Sequence, residues 1–143
     1  MTAAAPLAAV LAVAAVSSAP YERNLRASLS ANTGVRVTRV SCPHGIALRT
    51  GARFTCFVRF ASRDHSPVRV RLTDTSGHYT ARLRDLLVRH LERQLRRAGH
   101  ARFRCPRRRA VARGDRFTCT SKATVAHIRQ LGDGRVRYRL TRR

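Results

Sequence analysis

The chain has 143 residues, with 30 Lys+Arg against 7 Asp+Glu and a formal net charge of +23. That length leaves room for one ordinary domain or two very small ones and excludes anything larger. All but one of the basic residues are arginine, the exception being Lys122. A GC-rich coding bias explains arginine over lysine but leaves the scarcity of acids unexplained. A surplus of this size sets up a positive field that draws polyanions.

The N-terminus reads MTAAAPLAAVLAVAAVSSAP, with small apolar residues from Leu7 to Val16 and then Ser17-Ser18-Ala19. This is the pattern of a signal-peptide core with a small-residue exit, although no Lys or Arg precedes it and Pro20 disfavours a cut directly before it. The apolar run falls short of the roughly 20 residues that span a bilayer, so residues 1–19 are expected to be a cleaved leader, the alternative being an uncleaved anchor. Next, Tyr21, Leu25 and Leu29 recur at helical spacing, with Gly34 placed to end the helix.

Residues 42–56 then read CPHGIALRTGARFTC, and residues 105–119 read CPRRRAVARGDRFTC. The shared frame is C-P-x3-A-x3-G-x-R-F-T-C, which marks an internal repeat. Four cysteines in two pairs of one spacing, behind a leader, imply a disulfide framework and an oxidising compartment. Three connectivities are possible. The repeat favours Cys42–Cys56 and Cys105–Cys119, which give each unit its own staple. Each closes a loop of about 15 residues and stabilises by roughly 3 kcal/mol, a large share of the margin of so small a unit. Pro43 and Pro106 stop the preceding strand, because proline has no amide to donate, and Gly51 and Gly114 permit the turn back.

Strand-like alternation follows. In RFTCFVRF, Phe54, Cys56, Val58 and Phe60 face one way, and Arg53, Thr55, Phe57 and Arg59 the other. VRVRL sets Val68, Val70 and Leu72 against Arg69 and Arg71, and Asp74-Thr75-Ser76-Gly77 makes a turn. A second helix spans RDLLVRHLERQLRRAG, with Leu87, Leu91 and Leu95 in register, Asp85 as N-cap and Gly99 just past its end. In the second frame, HARFRC turns Ala101, Phe103 and Cys105 inward and Arg102 and Arg104 outward. Phe117 and Cys119 point in, and Arg116, Thr118, Thr120 and Lys122 point out. After the turn Gly132-Asp133-Gly134, Val136, Tyr138 and Leu140 point in, against Arg135, Arg137 and Arg139. VAHIRQL alternates less cleanly.

The expected fold class is therefore α+β, in two tandem units over residues 20–83 and 84–143. Each has an N-terminal helix packed on a roughly four-stranded antiparallel meander with its own disulfide. The second unit carries most of the charge, 18 Arg and one Lys against 4 acids, where the first has 11 Arg against 3. Leu83 runs straight into Arg84, which implies a fixed relation between the two.

The pattern of amphipathic helix, strand ending in Cys-Pro, Gly-x-x-Phe-x-Cys and two further strands resembles the family called domain of unknown function 4333. The matching positions are Cys42, Pro43, Gly51, Phe54 and Cys56, then Cys105, Pro106, Gly114, Phe117 and Cys119. That family occurs mainly in secreted proteins and lipoproteins of actinobacteria, so the resemblance implies export. It carries no established activity, so nothing about chemistry follows. This chain departs from it in being far more basic and in lacking a Gly-containing turn after the second strand of the first copy.

Spacing argues against most site chemistries. Zinc sites use C-x2-4-C pairs, whereas these are C-x13-C, and His44 gives way to Arg107 in the second frame. A C-x-x-C redox motif is absent. Asp64, His65 and Ser66 are neighbours in one turn, which cannot produce triad geometry. No Gly-rich phosphate loop or repeated acidic pair occurs. The sequence thus implies no enzyme and no cofactor.

What remains is arginine, whose planar fork suits phosphate and carboxylate. Arg53, Arg59, Arg69 and Arg71 in the first unit, and Arg102, Arg104, Arg116, Arg135, Arg137 and Arg139 in the second, are expected on the outer sheet faces, with Arg107, Arg108 and Arg109 forming a basic loop. The expected partner is an anionic cell-envelope polymer or membrane surface, for a protein secreted or held in the envelope. The alternatives are nonspecific, salt-sensitive nucleic-acid binding and a structural interaction module with incidental charge. Specific single-strand recognition would need exposed rings for stacking, and Phe57 alone falls clearly on an outer face.

Overall fold

The computed structural model describes residues 15–107, 112–132 and 135–143. It is α+β, with two helices, antiparallel sheets and two disulfides, Cys42–Cys56 and Cys105–Cys119. The chain order is β1 (Ala15–Val16), α1 (Ala19–Thr33), β2 (Val37–Ser41), β3 (Ile46–Ala47), β4 (Arg53–Phe60), β5 (His65–Leu72), β6 (Tyr79–Leu83), α2 (Val88–Gly99), β7 (Arg116–Thr120), β8 (Thr124–Gly132) and β9 (Arg135–Arg142). The leader expected over residues 1–19 falls largely outside the described residues; β1 pairs with β3.

In the N-terminal half, β2, β4, β5 and β6 form a four-stranded sheet in that order. Alternation sorts the side chains. Cys56, Val58 and Phe60 of β4 and Val68, Val70 and Leu72 of β5 are buried. Leu25 and Leu29 of α1 pack on Cys42, Cys56, Val58, Val68 and Val70 in one cluster. Tyr21 caps a smaller cluster with Ile46 and Leu72, its ring edge-on to Phe54 and Tyr79. Gly34 ends α1 with a left-handed φ of 68°, as the sequence implied.

The C-terminal half has a three-stranded sheet, β7-β8-β9, where about four strands were expected. The segment HARFRC is not a strand. It contributes a single bridge, Arg104 opposite Thr120, closed by two backbone hydrogen bonds of 2.8 and 3.0 Å. Its facing is nevertheless as read, with Phe103 buried and Arg102 and Arg104 exposed. Leu91 and Leu95 of α2 pack on Phe103, Phe117, Cys119, Ala126 and Ile128. Tyr138 lies on the inner face opposite Ile128 but stays 39% exposed.

Both ends of α2 depart from expectation. Asp85 does not cap it; its carboxylate lies beside the Arg84 guanidinium. Gly99 is not past the end but is its last residue, and His100 takes the left-handed position with φ 50°. Glycine is needed at 99 for space: a Cβ there would lie 2.9 Å from the Phe103 ring and 3.3 Å from Leu140.

The true cap comes from the other half of the molecule. Asp64, at the β4–β5 turn, accepts the backbone N–H of Arg89 on Oδ1 and of His90 on Oδ2, each at 3.0 Å. The Ser62 hydroxyl donates to the same carboxylate at 2.6 Å. Ser66 Oγ accepts the Asp85 N–H at 2.9 Å, and Leu87 packs in the N-terminal core. The halves are thus joined by a carboxylate across a helix N-terminus, where negative charge is favoured.

One device recurs in both halves. Glu22 of α1 accepts the Cys42 N–H at 3.0 Å, and Glu92 of α2 accepts the Cys105 N–H at 2.9 Å. Each helix so holds the first cysteine of its staple. Gly51 and Gly114 also correspond, both with positive φ and each donating its N–H at 2.8 Å, to Leu72 O and Gln130 O respectively.

Candidate anion-binding surfaces

The register of the sheets decides where the arginines meet. On the outer face of the N-terminal sheet, Arg53 stands opposite Arg71, Arg39 opposite Arg59, and Arg69 opposite Arg82. On the C-terminal sheet, Arg116, Arg129 and Arg137 form one row across three strands, and Thr118, His127 and Arg139 form the next. Like charges directly opposite one another destabilise a sheet, so these rows lower stability in the isolated protein.

Every nominated arginine within the described residues is exposed: Arg53, Arg59, Arg69, Arg71, Arg102, Arg104, Arg107, Arg116, Arg135, Arg137 and Arg139. Arg108 and Arg109 lie outside the described residues. The structure does not gather the rest into one site. Arg53, Arg59, Arg69 and Arg71 share one sheet, and Arg116, Arg135, Arg137 and Arg139 another, while Arg102 and Arg104 flank the second disulfide. Sequence reasoning missed Arg39, Arg82 and Arg129: extending the alternation through YTARL and VAHIRQL would have found Arg82 and Arg129, whereas Arg39 faces outward only because the register shifts between Val37 and Arg39. Phe57 projects from the middle of the N-terminal face, 64% exposed.

The acids are placed quite differently. Among the described residues, Glu22 and Glu92 hold cysteine amides, and Asp64 caps α2. Asp74 accepts the N–H groups of Ser76 and His78, and its carboxylate contacts the His78 ring. Asp85 contacts Arg84, and Asp115 accepts the Arg116 N–H. None of them stands in the arginine rows on the outer faces of the strands.

The neighbours Asp64, His65 and Ser66 divide between faces, as strand alternation requires: Asp64 and Ser66 are buried against α2 and its approach, and His65 is exposed opposite Arg59. Among the described residues no group of three or more His, Cys, Asp or Glu side chains is arranged to hold a metal ion. No described helix is long and apolar enough to cross a membrane.

A second basic feature lies at the junction of the halves. A cleft of about 260 Å³ is lined by Gly34, Val35 and Arg36 after α1, by Ala61 and Ser62 of the β4–β5 turn, and by His90, Arg93, Gln94 and Arg97 of α2. Arg93 Nη1 donates to Ser62 O at 3.4 Å. Burial holds the His90 imidazole below its ordinary pKa, and Arg93 and Arg97 add to this while Asp64 opposes it.

Two paired disulfides are the mark of an oxidising, extracytoplasmic setting. No curated protein and no solved structure matches the chain. A family model does match, described as Domain of unknown function (DUF4333), over residues 3–77. That span takes in α1, the first Cys-Pro frame and the first disulfide. By this match over more than half its length, the chain belongs to the DUF4333 family.

Proposed function

We propose that this is an exported, non-enzymatic protein that binds anionic polymers or lipid headgroups of the cell envelope through its two arginine-covered sheet faces. In this reading the C-terminal half is a second, trimmed copy of the family domain. The shared Cys-Pro-to-Phe-x-Cys frame, the disulfide at the same place and the paired Glu22 and Glu92 clamps support that relation.

The observation that carries the functional reading is the cross-strand rows of arginine, with the described acids committed to structural bonds elsewhere. A polyanion laid over such a row removes the repulsion and releases its own counterions, so binding should weaken steeply with salt. The test is equilibrium binding of the disulfide-intact protein to poly(glycerol phosphate), to anionic vesicles and to duplex DNA, across a salt series. Tight binding to the envelope polymer or to the vesicles at low salt is expected. Its logarithm should fall linearly with that of the salt concentration, more shallowly after Arg53→Gln, Arg69→Gln and Arg71→Gln together. Preference for DNA would assign the faces to nucleic acid instead. Failure to bind any of the three at low salt would leave the charge without a role.

A further inference from the structure

We propose that the cleft between the two halves is a discrete binding site for a phosphate group, separate from the sheet faces. Three arginines reach it from two parts of the chain: Arg36 from the link between α1 and β2, and Arg93 and Arg97 from α2. His90 and Arg97, seven residues apart, and Arg93 between them share one face of α2. The opposite face, with Leu91 and Leu95, is sunk in the C-terminal core.

This cationic face is therefore the one α2 presents to the N-terminal half, where Arg36 adds a third guanidinium. The nearby acid, Asp64, offsets only part of this charge: it is one carboxylate against three guanidinium groups, and its oxygens are held by two α2 amides and the Ser62 hydroxyl. Arg36 and Arg97 have no hydrogen-bond or ion-pair partner for their side chains among the described residues. Like charges brought together across a junction that other bonds hold shut favour an oxyanion between them, and guanidinium forks match a phosphate best.

The cleft does not end there. Arg36 also lines a second depression of about 490 Å³, which runs along α1 past Arg23 and Arg26. A phosphate seated between Arg36, Arg93 and Arg97 could carry its organic part toward these two arginines. The chemistry named is thus a phosphate, either free or esterified to a small polyol. It does not depend on what the sheet faces bind.

The test is a titration of the full, disulfide-intact chain with inorganic phosphate and with glycerol 3-phosphate, at constant ionic strength, followed by NMR. The expected result is saturable shifts confined to Arg36, Ser62, His90, Arg93 and Arg97, with the His90 imidazole titrating at higher pH when the site is filled. Arg36→Gln with Arg97→Gln should weaken binding by about tenfold or more, and should leave the Asp64 bonds and the spectrum of the fold intact. Arg49→Gln with Lys122→Gln, both exposed and away from the cleft, should leave the affinity unchanged. Tighter binding of glycerol 3-phosphate, with added shifts at Arg23 and Arg26, identifies an esterified phosphate; equal affinity identifies the free anion. Shifts that never saturate and spread over all arginines, or a double variant that binds as well as the parent, would overturn the proposal.

Discussion

Replacing Asp64 by alanine tests the junction most directly. The side chain is 9% exposed and holds three donors: the Arg89 and His90 amides at 3.0 Å and the Ser62 hydroxyl at 2.6 Å. Loss of an N-cap costs about 0.5–2 kcal/mol. Each donor left buried and unpaired adds about 1–3 kcal/mol, less where water can reach it, as it can at the exposed Arg89. An overall loss of about 3 kcal/mol is therefore expected. With a urea slope of about 2 kcal/mol/M, that lowers the unfolding midpoint by roughly 1.5 M. Far-ultraviolet circular dichroism would read the midpoint, and hydrogen exchange would read the Arg89 and His90 amides, which should lose protection first. Asp74→Ala is the control: its carboxylate serves an exposed turn, and its midpoint should stay close to the parent's. A midpoint within about 0.3 M of the parent, with Arg89 and His90 still protected, would refute the cap as the bond between the halves.

Two further substitutions probe the same helix. His90 is held below its ordinary pKa of 6.5 by burial and by Arg93 and Arg97, against Asp64. As pH falls below 6.5 the unfolded chain takes up this proton before the folded one, so stability drops until the folded-state pKa has been passed. His90→Gln should flatten that part of the stability–pH curve between pH 7 and pH 5, and an unchanged slope would show that other groups set it. Gly99→Ala gains about 1 kcal/mol of helix propensity but forces a methyl against the Phe103 ring and Leu140. Overpacking of about 1–3 kcal/mol outweighs the gain, so a lower melting temperature is expected.

Much of the fold was legible because its signals are local. Alternation in RFTCFVRF and VRVRL sorted the inward and outward residues of β4 and of β5 from Val68 onward, and the repeat picked the right disulfides out of three connectivities. Failures occurred where a distant partner decides. Asp85 has the right residue type and position for a cap, yet Asp64, 26 residues before His90 in sequence, takes the role because the β4–β5 hairpin delivers it to the helix end. No local pattern encodes that. HARFRC alternates like a strand but forms a single β-bridge, to Thr120, since β-structure is a property of the pairing and not of the segment. The junction cleft was invisible for the same reason: Arg36, Arg93 and Arg97 come together only once Asp64 has seated α2.

The placement of the acids bears on whether the charge is a by-product of base composition. A coding bias chooses arginine over lysine, but it has no means of knowing which carboxylates a fold needs. In this chain five of the six described acids sit where a backbone amide needs an acceptor, Glu22 and Glu92 at cysteine amides, Asp64 at α2, Asp74 at its turn and Asp115 at Arg116, while Asp85 pairs with Arg84. By contrast, positions where an acid would relieve a like-charge pair, such as those opposite Arg53, Arg69 or Arg129, hold another arginine. Exchanging one arginine of such a pair for glutamate would turn a cross-strand repulsion into an attraction and stabilise the sheet by a few tenths to about 1 kcal/mol. The chain forgoes that gain at several pairs on both sheets. Stability set aside repeatedly on the same kind of surface is the pattern expected when the surface meets its counter-charge in a partner, and it is the physical ground for seeking that partner among polyanions.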